Sequence, residues 1–238
     1  MNLKETQVLG HKFYYDPARI SHADIFGPSV MIKIFDKDCY GLSHIEEENP
    51  TIIDIGSHIG VLPRVIKHLF PAAQIYSVEP DKYNFQILCK NNAQLENAES
   101  MNLGVWSDDS FLEIRMSDTK SWRSTLNVNK VFFDDIKQEG DSFSFGIHKI
   151  ECKSIDSLVN SLKLKRLCLL GITIPGEITA NVLEGANDTL STLRPQVSLN
   201  IYPKEKDQIL EIFKSHDYFH KENSYSTMNI FKPVRRCF

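Results

Sequence analysis

The 238-residue sequence lacks several features that mark whole classes of protein. It has no excess of positive charge, with 27 Lys+Arg against 31 Asp+Glu and a formal net charge of −4, so no general attraction for nucleic acid is predicted. No apolar run reaches the roughly 18 residues of a membrane-spanning helix, and the N-terminal segment lacks the apolar core of a secretory signal. We therefore expect neither a nucleic-acid partner nor a membrane span.

Cysteine is also sparse. The five cysteines are dispersed and form no C-x-x-C pair, which argues against a zinc site or a disulfide framework and favours the reducing cytoplasm as location. His216 and His220 have the i, i+4 spacing of metal ligands, but no third ligand is evident, and no metal is expected. The remaining composition, 42% hydrophobic and 24% charged, is typical of a globular protein.

From residue 51 onward, strand-like and helix-like segments alternate. The β-branched run TIIDI predicts a buried strand, and the apolar stripe that follows it has helical spacing. Strands are predicted at 51–55, 74–78, 100–106, 167–174, 196–202 and 228–233, the last at an edge, and helices at 61–70, 81–95, 154–162, 178–190 and 205–213. The alternation predicts an α/β fold with a mostly parallel sheet, helices on both faces and an antiparallel final strand.

One domain is predicted rather than two. Residues 1–50 are expected to form a preamble packed on the core, and residues 51–238 the domain proper, with a lid or hairpin insertion at about 108–150. Within the insertion, the Trp and Arg of KSWRST (120–125) could stack on and hydrogen-bond a sugar or a polar headgroup. The alternative is a plain antiparallel extension of the sheet.

The turn after the first of these strands has the composition of a nucleoside-binding site. Gly56 allows a sharp turn at the end of the strand, and Gly60 allows the next helix to begin close to a ligand. The following strand ends at Glu79, 25 residues after Asp54. A carboxylate at that place can accept hydrogen bonds from both hydroxyls of a ribose.

The spacing of the glycines discriminates between cofactors. A dinucleotide site has G-x-G-x-x-G, whose middle glycine lets the backbone approach a pyrophosphate. Here His58 occupies the middle position, which argues against a nicotinamide-dependent oxidoreductase. The pattern D-x-G-x-x-x-G with a later Glu fits S-adenosylmethionine (SAM), which has a ribose and no phosphate. The alternative is that two glycines and an acid only shape a strand–helix turn.

In the order of its segments, the sequence resembles SAM-dependent methyltransferases of the FkbM type. The resemblance covers about residues 30–202. Its segments include TIIDIGSHIG (51–60), IYSVEPDKYNFQILCKN (75–91), NLGVWSDD (102–109) and GITIPGEITANVLEGA (171–186). The first motifs are shared by many class I methyltransferases, and the whole ordered set is considerably more specific. It implies a Rossmann-like fold with a mostly parallel seven-stranded sheet and a methyltransferase domain at 51–238. It also implies SAM as cofactor and a small-molecule acceptor methylated on a sugar, natural-product or lipid-linked hydroxyl.

The resemblance also implies which residues would hold the cofactor. The residues around the methionine end would be Asp54, Gly56, Ser57, His58 and Gly60. Glu79 would bind the ribose, and Asn102 and Gly104 would lie near the adenine. Tyr40 would cover the sulfonium, because an aromatic face attracts a cation within about 6 Å. The alternative for Tyr40 is an aromatic residue packed in the core.

Three positions depart from the family pattern on the side where an acceptor should dock. Thr173 and Pro175 stand where relatives usually carry Asp and Glu, and Asn200 stands near a position that is often acidic. A hydroxyl acceptor needs a base, or a carboxylate that orients it. The chain therefore uses another base, or has an acceptor that needs none, or is a non-catalytic SAM-binding or scaffold domain.

The candidates for a replacement catalytic group are few. His58 could accept a proton near pH 7, although a hydrogen-bonded turn residue is the alternative. Glu177 lies just past the departing block, where an acidic residue also suits the beginning of a helix. Thr173 is the third candidate, because of its position in the family block.

Overall fold

The computed structural model describes residues 2–20, 32–117, 125–126, 145–174, 177–221 and 228–234. In chain order its strands and helices are β1 (Lys4–Val8), β2 (His11–Tyr15), β3 (Thr51–Ile55), α1 (Val61–Leu69), β4 (Gln74–Val78), α2 (Lys82–Asn92), β5 (Ala98–Met101), β6 (Gly104–Val105), β7 (Ser110–Ser117), β8 (Thr125–Leu126), β9 (Phe145–Lys153), α3 (Ile155–Ser161), β10 (Leu169–Ile172), α4 (Thr179–Glu184), β11 (Gln196–Asn200), α5 (Lys206–Ser215), β12 (Tyr218–Lys221) and β13 (Met228–Pro233). No helix among these residues is long and apolar enough to cross a membrane.

The main sheet has seven strands in the order β12-β13-β11-β10-β3-β4-β5. Strands β11, β10, β3, β4 and β5 pair in parallel, and β13 pairs antiparallel with both β11 and β12. The predicted fold class and the antiparallel final strand are confirmed. The prediction that the strand at 228–233 lies at an edge is wrong, because β12 pairs along its outer side.

Helices cover both faces of this sheet, as predicted. Successive side chains of a strand point to opposite faces, and β3 is buried on both. Ile52 packs in one apolar cluster with Val65 and Ile66 of α1. Ile53 packs in another, with residues of α3, α4 and α5 such as Leu158. Because helices cover both faces, the strand carries apolar side chains at successive positions, such as Ile52 and Ile53, and does not alternate apolar and polar residues.

The N-terminal hairpin β1–β2 lies against α2. Phe13 and Tyr15 share an apolar cluster with Ile59 and Ile87. The side chain of Asn91 fixes the hairpin further: its Oδ1 accepts from Tyr14 N at 2.7 Å, and its Nδ2 donates to Tyr14 O at 3.0 Å. The hairpin is thereby held beside the loop that follows β3.

The strand predicted at 100–106 is divided between two sheets. β5 completes the main sheet, whereas β6 begins a four-stranded sheet in the order β6-β9-β7-β8. The described strands of the predicted insertion at about 108–150 belong to this second sheet, with β7 and β9 antiparallel. Most of KSWRST, and Pro175 in the departing block, lie outside the described residues.

Candidate functional site

The turn after β3 is fixed from two sides. Gly56 has a φ of +80°, and the backbone N–H groups of Gly56 and Ser57 both donate to Val78 O, at 2.9 and 3.0 Å. A Cβ atom on Gly56 would overlap the carbonyl oxygen of Thr173. The backbones that follow β3 and β10 therefore approach each other so closely that only glycine fits at position 56.

Asp54, Tyr40 and Thr173 converge at this edge of the sheet. Asp54 is 1% exposed and accepts a hydrogen bond from Ser57 Oγ at 2.7 Å. Burial raises the pKa of Asp54 to about 6, and the Ser57 bond opposes that rise. Burial, together with the charge of Asp54, raises the pKa of the Tyr40 phenol, which also lies beside the side chain of Thr173. The cluster combines a carboxylate with an aromatic ring.

Glu79 lies at the end of β4 and is 5% exposed. Its Oε2 accepts from His58 N at 2.9 Å, and its Oε1 accepts from Asp81 N at 3.0 Å and from Asn84 Nδ2 at 3.4 Å. Burial, reinforced by the charge of Asp81, nevertheless raises the pKa of Glu79 to about 8. These three donors do not offset the burial of the carboxylate, and two ribose hydroxyls are further donors of the kind that would stabilise its ionised form.

Asp81, whose N–H donates to Glu79, also forms a buried ion pair with Arg19. Arg19 Nη2 lies 3.0 Å from Asp81 Oδ2, and the two side chains are 10% and 0% exposed. Asp81 also caps α2, since its Oδ1 accepts from Tyr83 N and Asn84 N. The helix predicted at 81–95 begins at Asp81, but no motif connects this residue to Arg19, which is 62 residues away. Arg19 and Asn84 are the residues of this site that sequence reasoning missed.

The remaining candidates fall on different sides of the site. Asn102 Nδ2 donates to Glu79 O at 2.8 Å, so it lies beside the predicted ribose position. Gly104 lies in β6, where a Cβ atom would come 2.6 Å from Cys152 Sγ, so its small size serves strand packing. Gly60 has a φ of +94° and precedes α1 directly, as its predicted function in the turn requires.

The proposed replacement bases are weakly supported by the geometry. His58 has a φ of +53°, and burial lowers the pKa of its imidazole to about 4, which does not favour proton uptake near pH 7. Its backbone N–H is what binds Glu79. Glu177 pairs with Lys204 at 3.2 Å and is not brought to the Asp54 cluster by any described contact. Only Thr173 lies beside Tyr40.

A separate cavity of about 710 Å³ lies at the other end of the sheet. Its walls include Leu167 and Cys168, just before β10, Gln196 at the start of β11, and Pro233 at the end of the antiparallel β13. These are the amino ends of the parallel strands. The cavity is therefore not part of the site around Gly56 and Glu79.

Comparison with known proteins gives concordant results. The family model described as "Methyltransferase FkbM domain" matches residues 54–235. The chain is similar to the methyltransferase sdnD of Sordaria araneosa, at 26% identity over 114 residues, which are 45% of this chain and 44% of that protein. It thus spans less than half of that relative. A crystal structure from Pyrococcus horikoshii described as a transferase superimposes with a TM-score of 0.51 at 12% identity, over 97% of this chain and 70% of that one, which is a likeness of fold alone.

Proposed function

Because this chain belongs to the FkbM family of methyltransferases, we propose that it binds SAM at the turn after β3 and methylates a hydroxyl group of a small molecule. The observation that carries the proposal is Glu79, a buried carboxylate at the end of β4 whose pKa is raised by burial in spite of its hydrogen bonds. It lies next to a glycine turn that leaves no room for any side chain at Gly56. Ribose hydroxyls would add two further donors to this carboxylate.

Each part of the cofactor has a suitable partner in this chain. We assign the methionine end to Asp54, Ser57 and the backbone at Gly56, and the ribose to Glu79. The adenine would lie toward Asn102. Gly104 is left out, because its space is filled by β9. SAM supplies an electrophilic methyl group on a sulfonium, and the ring of Tyr40 is the aromatic face that would lie against that cation.

The acceptor side depends on positioning more than on acid–base chemistry. Alignment of an acceptor lone pair with the sulfonium methyl can by itself supply several kcal/mol of the barrier reduction. Thr173 can orient a hydroxyl group by hydrogen bonding, but it cannot remove a proton near pH 7. The absence of an acid at this position also favours a second candidate function, a SAM-binding or scaffold domain without catalysis.

Transfer of a labelled methyl group tests the proposal. The chain would be incubated with labelled SAM and, in separate arms, hydroxyl-bearing small molecules, RNA and a protein extract. We expect label in a small-molecule fraction and none with Gly56→Val, which cannot form the turn. Label only in RNA or protein would contradict a small-molecule acceptor. Cofactor binding without transfer in any arm would favour the scaffold function.

A further inference from the structure

Glu79 is connected to the N-terminal segment by a network of buried polar groups. Asp81 N and Asn84 Nδ2 both donate to Glu79 Oε1. Arg19 reaches both of these residues: its Nη2 pairs with Asp81 Oδ2 at 3.0 Å, and its Nη1 donates to Asn84 Oδ1 at 3.4 Å. A cation that lies far from the site in sequence thus contacts both neighbours of the predicted ribose ligand.

The position of Arg19 is itself well determined. A turn at Asp16 follows β2, in which Arg19 N and Ile20 N both donate to Asp16 O, at 3.1 and 3.0 Å. Ile20 is 7% exposed and anchors the end of that turn in the apolar cluster of the hairpin. The guanidinium also lies over the ring of Tyr83, 5.3 Å from its centroid. The segment after the hairpin therefore places the Arg19 guanidinium at the beginning of α2, beside Asp81 and Tyr83.

We propose that Arg19 is a positioning residue of the cofactor site, through which the N-terminal hairpin segment holds Asp81 and Asn84 so that Glu79 presents an ionised carboxylate to the ribose. The inference rests on the proposed function for the identity of the ligand. The link from Arg19 to Glu79 is a property of the ligand-free chain and can be measured without any ligand.

The charged groups around Glu79 determine how readily its carboxyl ionises. Asp81 is a second buried acid on the same turn, and its negative charge opposes ionisation of Glu79. His58, from the turn after β3, has an imidazole whose pKa burial lowers to about 4, and its backbone N–H donates to Glu79. Arg19 is a cation paired with Asp81, so its positive charge favours ionisation of Glu79. Removing it should raise the pKa of Glu79 further, by about one unit or more.

The first test follows the titration of the side-chain carboxyl carbons by NMR in the ligand-free chain. Glu79 is assigned by the resonance that disappears in Glu79→Gln. In Arg19→Gln we expect the titration midpoint of Glu79 to rise by about one pH unit. In Arg19→Gln combined with Asp81→Asn, it should fall back to the wild-type value or below. Asn still caps a helix, so α2 is retained. An unchanged midpoint in Arg19→Gln would overturn the proposal.

The second test measures the affinity for S-adenosylhomocysteine as a function of pH. In Arg19→Gln the affinity should be up to about tenfold lower at pH 7. It should recover as the pH is raised, because Glu79 still ionises at higher pH. Arg19→Lys keeps the charge and should restore most of the affinity. A loss that is equal at every pH would indicate a merely structural function for Arg19 and would contradict the proposal.

A matched control is available in the same hairpin. Lys12 forms an ion pair with Glu5 at 3.2 Å, with both side chains largely in solvent. Lys12→Gln removes a cation from the hairpin without touching Asp81 and should change neither the titration nor the affinity. If wild-type chain fails to bind S-adenosylhomocysteine while the NMR midpoint still moves, the proposed function fails and the Arg19 linkage stands.

Discussion

At the scale of single residues, Gly56 is constrained both by its left-handed backbone and by the atoms that surround its Cβ position. Gly10 has nearly the same φ, +81° against +80°, but a Cβ atom at Gly10 would meet nothing within 4 Å. A Cβ atom at Gly56 would run into the backbone of Thr173, and its distance to the carbonyl carbon would be 2.9 Å. Backbone atoms cannot give way as the end of a flexible side chain can.

The two glycines therefore make a matched pair of variants. Gly10→Ala should cost roughly 1–2 kcal/mol in the free energy of unfolding, from the positive φ alone. Gly56→Ala should cost roughly 1–3 kcal/mol more, because the loop after β10 must also move. Urea unfolding of both variants measures the difference. Equal losses would show that Gly56 and Thr173 are not in contact.

Glu79 should make the stability of the ligand-free chain depend on pH. Its carboxyl has an ordinary pKa of 4.5 and a folded-state pKa of about 8, so the folded chain holds this proton more tightly than the unfolded chain. The stability that Glu79 contributes is thus complete below pH 4.5 and is lost as the pH rises through about 8. The shifted titrations of Asp54 and His58 end by about pH 6 and 6.5, so Glu79 dominates above them.

We accordingly expect the free energy of unfolding to fall between about pH 6.5 and 8.5, by at most about 1.4 kcal/mol per pH unit. Glu79→Gln cannot ionise and should flatten this dependence. Urea unfolding at several pH values measures it, with no cofactor present. The same slope in wild type and Glu79→Gln would contradict the burial that raises this pKa.

The residues of the site differ in how far the sequence could reveal them. Gly56 and Glu79 could be predicted, because a strand, a glycine turn and the acid that ends the next strand are all local patterns. Arg19 could not, since its partner Asp81 is distant in sequence and an ion pair leaves no pattern. The neutral state of His58 also could not be predicted, because it results from burial.

At the scale of elements, Asn91 joins the hairpin, α2 and the turn after β3. Besides its two bonds to the Tyr14 backbone, its Nδ2 donates to Ile59 O at 2.7 Å. Asn91 is 1% exposed, so each of these groups would be left without a partner if the amide were removed. Periodicity alone places Asn91 on α2 but does not reveal its three backbone partners.

Asn91→Leu should therefore destabilise the chain by roughly 2–4 kcal/mol, since it leaves buried backbone groups unpaired. Hydrogen exchange should rise most in β1 and β2, while β3 and β4 stay protected. Gln86→Leu, an exposed position of the same helix, is the control and should have little effect. Uniform loss of protection over the whole sheet would contradict a local function for Asn91.

The division between β5 and β6 shows where sequence patterns fail at this scale. Over 100–106, Met101, Leu103 and Val105 alternate with other residues as in a single strand. The strand nevertheless ends at Met101, and Asn102 donates hydrogen bonds to Glu79 O and Pro80 O. β6 then pairs with β9 in the other sheet, with Gly104 beside Cys152. Both sheets offer buried positions, so the hydrophobic pattern does not distinguish between them.

At the scale of the whole molecule, the sheet order explains why the site forms where it does. Asp54, Glu79 and Thr173 lie at or just after the ends of β3, β4 and β10. These three strands are neighbours in the main sheet and run in parallel. Their carboxyl ends therefore meet at one edge, as ligand sites in open α/β sheets do. The alternation of strands and helices predicts this arrangement, whereas the pairing of β12 outside β13 depends on the tertiary structure.

Calorimetric titration with S-adenosylhomocysteine tests most directly whether this edge is a SAM site. We expect saturable binding at one site per chain, no binding of NAD, and an affinity lower by roughly 1.5–3 kcal/mol in Glu79→Ala, the contribution of hydrogen bonds to a charged group. Binding of NAD in place of S-adenosylhomocysteine, or an affinity that is unchanged in Glu79→Ala, would contradict the account.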